Sequence, residues 1–202
     1  MKRLTVWATM ALGACWLLPA CTLHAQMGGM EMGKDAKAMM AESPAQSIDD
    51  MLSLYEHDAM GVVNAMPADK YSFAPGAATF AAGQGAKFDG VRTFAQQVTH
   101  VAEANYYFYS TLSGLKPDVD MKSIETLTTK DDCVAVLAKS FAFAHKAIAT
   151  ITLQNAFEPI KPVDGMKTRI SLAAFGVAHG FDHYGQMVEY LRMNGVLPPG
   201  SK

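Results

Sequence analysis

His179 and His183 stand four residues apart in the run His179-Gly180-Phe181-Asp182-His183-Tyr184-Gly185-Gln186, near the C-terminus of a chain of 202 residues. On an α-helix this spacing puts both imidazoles on one face, close enough to share a single ion. Imidazole nitrogen suits zinc, nickel and iron alike, and three such ligands leave coordination positions open for water or substrate. A third ligand has to come from elsewhere, and the remaining histidines are His24, His57, His100 and His145. The spacing is that of H-E-x-x-H zinc proteases, but there a glutamate base follows the first histidine, whereas here the residue is Gly180. That feature excludes a protease of this type.

The elements that must carry these residues read as helices. From Ser47, a suitable N-cap with Asp49 and Asp50 in the first turn, Ile48, Met51, Leu52, Tyr55, Ala59, Val62, Val63 and Met66 recur at helical intervals. His57 lies off that stripe, between Glu56 and Asp58, as a solvated surface histidine. Pro67 to Gly90 is rich in glycine and holds Pro75, which makes it a long loop between helices. A second helix is expected over Val91–Leu112, with Phe94, Val98, Val101, Asn105, Phe108 and Leu112 inward and Gly114 beyond its end. His100 sits beside this stripe, on a second face shared with Ala104, Tyr107 and Thr111. A third helix over Asp131–Thr152, capped by Thr128 or Thr129, turns Val134, Leu137, Phe141, Ile148 and Ile151 inward. His145 falls on that stripe and reads as a core histidine held by one hydrogen bond.

After a loop marked by Pro159, Pro162 and Gly165, a last helix spans Lys167 to Asn194. It carries two nearly opposite apolar stripes, one through Val177, Phe181 and Val188, the other through Phe175, His179, His183, Gln186 and Tyr190. Such a helix is either central in its bundle or packed on a partner, so a homodimer through this helix is expected alongside the fold. No segment alternates like a strand. The architecture expected is all-α, a four-helix bundle with long crossover loops.

The N-terminus has a separate role. Lys2 and Arg3, the apolar run Leu4–Leu18 and a small residue at Ala25 describe an export signal over residues 1–25, with cleavage before Gln26. Leu18-Pro19-Ala20-Cys21 offers lipidation at Cys21 as the alternative, the one route by which the chain would be tied to a membrane. Cleavage after Ala25 leaves Cys133 as the sole thiol, so no internal disulfide forms, and a buried apolar role suits it best. Residues 26–46 are a Gly- and Met-rich linker, whose Met27, Met30 and Met32 could bind Cu(I), and residues 47–202 are the folded domain. A net charge of −2 with no long basic run argues against nucleic acid as a partner.

Three blocks of this domain resemble the DinB-like superfamily of four-helix metalloproteins. The first is Met66-Pro67 with Tyr71, Phe73 and Pro75; the second is Phe94 to Asn105 around His100; the third runs from His179 through Gln186 to Tyr190, Arg192, Gly195 and Pro198-Pro199. The resemblance implies one ligand on the second helix and a four-spaced pair on the last, hence His100, His179 and His183, holding a divalent transition metal such as zinc, nickel or iron. Glu103 and Gln186, each three residues beyond a histidine, become candidates to hydrogen-bond a ligand or a water, while no catalytic residue is identified. Some relatives look like thiol-dependent S-transferases, an activity less suited to an exported protein.

The functional expectation is an exported metal-binding protein, periplasmic or extracellular, acting on a small-molecule substrate as a hydrolase or transferase. Two alternatives stand beside it: a non-enzymatic metal-binding or stress-response protein, and a copper-handling protein that uses its methionines.

Overall fold

The computed structural model describes residues 42–79, 82, 83, 85 and 87–200. The leader with its two cysteines and His24, and the Met-rich stretch to Ala41, lie outside the described residues. Among the described residues the elements are α1 (Pro44–Ala65), α2 (Phe94–Ser113), α3 (Met121–Ile124), α4 (Lys130–Ile148), β1 (Pro159–Val163), β2 (Met166–Thr168) and α5 (Arg169–Met193), with two short 3-10 turns, Ala68–Lys70 and Ala77–Thr79, in the crossover between α1 and α2. Helix α2 packs on α4 and α5, and α1 packs on the same two helices, which closes a bundle of four long helices. To the four helices expected, the structure adds the single turn α3, capped by Asp120, and a small hairpin.

Local chemistry explains where the boundaries moved. Helix α1 starts at Pro44 rather than Ser47, because Ser43 caps it by accepting a hydrogen bond from the Gln46 N–H and proline at the first helical position forfeits no bond. Asp49 is thereby shifted out of the first turn and reaches across to α4. Helix α2 starts at Phe94 because Thr93 and Gln96 form a reciprocal capping box. The loop before it also takes part: the Phe73 carbonyl accepts from the Phe94 N–H at 2.8 Å and the Tyr71 carbonyl from the Ala95 N–H at 2.9 Å. The Tyr71 hydroxyl in turn donates to the Val63 carbonyl at 2.7 Å, so the crossover is bolted to both helices it joins.

The hairpin lies where a plain loop was expected. Asp164 and Gly165 both have positive φ, 47° and 84°, the conformation of a two-residue turn whose twist matches antiparallel strands. Pro159 and Pro162 disguise β1 as loop, since proline cannot donate to a ladder, but a strand at a sheet edge tolerates it. Thr168 then ends β2 and caps α5 in a second capping box with Ser171.

Helix α5 departs most from expectation. Its buried band runs between the two apolar stripes, through Ala173, Gly176, Val177, Gly180, His183, Met187 and Leu191, while Phe175, His179, Phe181 and Tyr184 are only partly buried. Two glycines define that band. A Cβ at Gly180 would lie 2.3 Å from the ring of Tyr55 on α1, and one at Gly176 would lie 2.8 Å from the Tyr109 hydroxyl on α2. The absent side chains let two tyrosine rings lie against the α5 backbone. The most enclosed helix is α2, which buries Phe94, Val98, Val101, Tyr106, Phe108, Tyr109 and Leu112 together with Gln97, Thr99 and Asn105. Asn105 bonds Ser140 of α4 at 3.0 Å, and Ser140 donates onward to the Leu137 carbonyl.

Cys133 is buried, and burial with the nearby Asp132 charge pushes its thiol up to about 11, so it is a packing residue and not a nucleophile. His57 is exposed. His145 differs from the core histidine expected: Nδ1 lies 2.6 Å from Asp49 and Nε2 lies 2.9 Å from Glu56, both on α1. A neutral imidazole has one N–H, so both contacts are hydrogen bonds only when the ring is an imidazolium. Burial alone would lower its pKa, but the hydrogen bonds that it donates to the two carboxylates, with their charges, outweigh burial and raise it.

Two predictions follow from this packing. Because the folded pKa of His145 exceeds the unfolded one, its ion pairs stabilise fully below the unfolded value and are lost as pH rises through the folded value. In urea melts, wild type should therefore exceed His145→Gln by about 1 kcal/mol at acidic pH, the partial exposure of the pair limiting the figure, and the gap should close on alkaline titration. A gap that widens with pH would contradict the imidazolium. Gly180→Ala should cost about 1–3 kcal/mol by overpacking against Tyr55, read as a lower urea midpoint. A midpoint equal to wild type would show that the ring can move aside.

Candidate metal centre

His100 projects from α2 and His179 and His183 from consecutive turns of α5, and the packing of these two helices brings the rings together. Centroids are 5.4 Å apart for His100 and His179, 4.7 Å for His100 and His183, and 4.6 Å for His179 and His183. One nitrogen from each can be chosen so that all three lie within 4.8 Å of one another. No carboxylate, thiol or further histidine among the described residues joins this cluster, and His57 and His145 belong to other parts of the surface.

The environment keeps the rings neutral. Burial lowers the pKa of His100 to about 4, with the Arg92 charge and His179 adding to the effect, and it lowers His183 to about 4 with His179 and His100 adding. Burial also lowers His179, against the opposing pull of Asp182 and Asp164. Around neutral pH all three imidazoles therefore present lone pairs, the form that binds a transition ion. Phe108 meets His179 edge-on at a centroid distance of 5.3 Å, and Phe175 lies tilted beside it at 6.1 Å, so the ring has aromatic neighbours on its apolar side.

His183 is held by a chain of polar groups whose direction can be read from one end. Asp182 accepts from the Gln186 amide nitrogen at 3.0 Å, so Gln186 must turn its oxygen the other way. That oxygen accepts from the Gln97 amide nitrogen at 3.0 Å, which leaves the Gln97 oxygen facing His183 Nδ1 at 2.8 Å. Nδ1 thus carries the proton and donates, and Nε2 is the nitrogen left to offer an ion. A carboxylate at the surface sets the tautomer of a buried ring three hydrogen bonds away.

The cleft beside the histidines has two lobes that meet at His100 and Glu103. An apolar lobe of about 420 Å³ is lined by Ala104, Tyr107, Phe108 and Met121 with His179 at its side. A polar lobe of about 520 Å³ is lined by Arg92, Gln96 and Thr99, with Glu125 bordering both lobes. Glu103 borders both, makes no hydrogen bond to a histidine, and has one carboxyl oxygen, Oε1, buried without a partner among the described residues. Burial, with Glu125 nearby, raises its pKa in spite of Arg92. Gln186 is exposed and reaches His183 only through Gln97.

Gln97 is the residue that sequence reasoning passed over. The available signal was a glutamine in helical register with Val101, Ala104 and Phe108, a buried polar side chain in an otherwise apolar line. Replacing it with leucine frees His183 Nδ1 and should weaken metal affinity by about 10–100-fold at unchanged helical content, measured by chelator competition. Wild-type affinity in Gln97→Leu would show that the chain of amides does not orient the ring.

No curated protein matches this sequence. A DinB-like protein from Bacillus cereus ATCC 10987 has a crystal structure that matches with a TM-score of 0.63 at 14% identity, over 81% of this chain and 100% of that one, a likeness of fold. The family model that matches residues 51–187 is that of the DinB superfamily, and it spans the bundle from α1 to the second histidine turn of α5. That model covers more than half of the chain, the mostly helical fold agrees with it, and the chain belongs to the DinB superfamily.

Proposed function

We propose that this chain is an exported metal-binding protein in which His100, His179 and His183 hold one divalent transition ion, zinc, nickel or iron, and that it acts on a small molecule as a metal-dependent hydrolase or transferase. The observation that carries the reading is the convergence of three neutral imidazoles, two lining an open cleft and the third, His183, buried beside them with its tautomer fixed. The donor set fits such an ion: three borderline nitrogen donors suit zinc, nickel or iron better than calcium or magnesium, which take oxygen, or Cu(I), which takes sulfur.

When bound, the ion supplies Lewis acidity to whatever occupies its open positions. The chain's own residues do the rest. Phe108 and Phe175 shield His179 from water, Gln97 holds His183, and Glu103 stands in the cleft with its carboxyl pKa raised by burial, able to take or give a proton beside His100.

Untagged protein recovered from outside the cytoplasm should carry about one equivalent of a first-row ion by elemental analysis, and His100→Ala, His179→Ala and His183→Ala should each lose it. Tight binding retained in any of these variants, or recovery solely from the cytosol, would overturn the corresponding half of the reading. Loaded protein should also turn over at least one class among esters, lactams and thiol acceptors, with loss on chelation; binding without turnover favours a non-enzymatic role.

A further inference from the structure

Arg92 is the unclaimed charge of the cleft. Of the three arginines among the described residues, Arg169 pairs with Glu158 and Arg192 with Glu189, whereas no described carboxylate lies within ion-pair distance of Arg92. It is exposed, it lines the polar lobe, and its field acts on all three histidines and on Glu103. An unpaired guanidinium facing a cleft is a fork for a planar oxyanion. On the other side of His100 the cleft turns apolar, and Tyr107, 54% exposed, keeps its ring in the opening of that lobe without being needed in the core. Of the acidic residues, Glu125 lines both lobes and Asp164 the apolar one, both exposed where water and salt screen them, while Glu103, which also lines both, has its carboxyl pKa raised by burial.

The two lobes lie in sequence along α2. Gln96 in the polar lobe and Tyr107 in the apolar lobe are separated by about 16 Å of helix axis, with His100 between them. We propose that the cleft binds an elongated amphipathic anion, its carboxylate on Arg92, its hydrocarbon or aromatic body against Tyr107, Phe108 and Met121, and its middle passing His100 and His179. The proposal rests on the reading of those histidines as a metal centre only for what happens to the bond held there; the binding itself uses protein groups. It narrows the substrate to a carboxylic acid or similar oxyanion with an apolar tail, and assigns Arg92 to substrate orientation.

Calorimetric titration of the zinc-loaded and the metal-free protein with decanoate, decylammonium and acetate tests it. Decanoate should bind both forms, at least tenfold tighter than decylammonium and than acetate. Arg92→Gln should lose at least tenfold in decanoate affinity while still taking up one equivalent of zinc, and Tyr107→Ser, at an exposed position, should lose severalfold. Lys122→Gln, which removes the other cation of the cleft, should change little. Equal binding of decanoate and decylammonium, equal binding of decanoate and acetate, or loss in Lys122→Gln in place of Arg92→Gln would each overturn the assignment. Failure to bind zinc with decanoate binding intact would reject the metal centre and leave this proposal standing; zinc binding with no decanoate binding would do the reverse.

Discussion

The bundle depends on how closely α1 and α2 can approach α5. Gly176 and Gly180 leave that helix without side chains on the turns where Tyr109 and Tyr55 press against it, and the rings lie against the backbone instead of standing off from it. Interhelical distance is set by the residues at the contact, and glycine gives the shortest one. The same close approach holds α5 at the height and rotation at which His179 and His183 meet His100. Gly180 lies inside the histidine pair itself, at the position where a protease of the H-E-x-x-H type keeps its base. Its absence of side chain is a structural requirement here, and the proteolytic chemistry is lost as a consequence.

Much of this was legible in the sequence, and what was not has physical causes. Long helices announce themselves through apolar recurrence, so α1, α2, α4 and α5 were read to within a few residues, and His57 was correctly placed in solvent. The resemblance singled out the three histidines that the structure gathers; spacing alone had given only two of them. The buried band of α5 was misread because glycine carries no apolar signal, although at Gly176 and Gly180 it admits the close approach of Tyr109 and Tyr55. The hairpin was missed because two prolines masked β1 while the Asp164-Gly165 turn passed unnoticed. Gln97 was missed because polar residues were sought C-terminal to the histidines, and its partners come from a helix some ninety residues away in sequence. The Asp49 and Glu56 contacts of His145 are likewise long-range, and no local pattern encodes them.

His145 and the three gathered histidines show how neighbours decide the state of one residue type. All four are partly or fully buried, which alone disfavours the charged ring. For His145, two carboxylates from α1 reverse that tendency and make it a cationic tie between helices. For His100, His179 and His183, the near neighbours are each other, a distant guanidinium and aromatic edges, and the pull of Asp182 and Asp164 is too weak to restore the charge that burial removes. One site stores a proton; the other is stripped of protons and has lone pairs to share.

The chain that ends on His183 has a further effect on the electronic character of the centre. A histidine backed directly by a carboxylate shares in its negative charge and becomes a stronger donor, which softens the ion it binds. Here the group touching Nδ1 is the amide oxygen of Gln97, which carries a dipole but no net charge, and the formal charge sits two hydrogen bonds farther out on Asp182. The ring is aimed without being made anionic. An ion seated among these three imidazoles would keep nearly its full positive charge, and would pull on the electrons of an incoming ligand harder than one held by carboxylate-backed histidines.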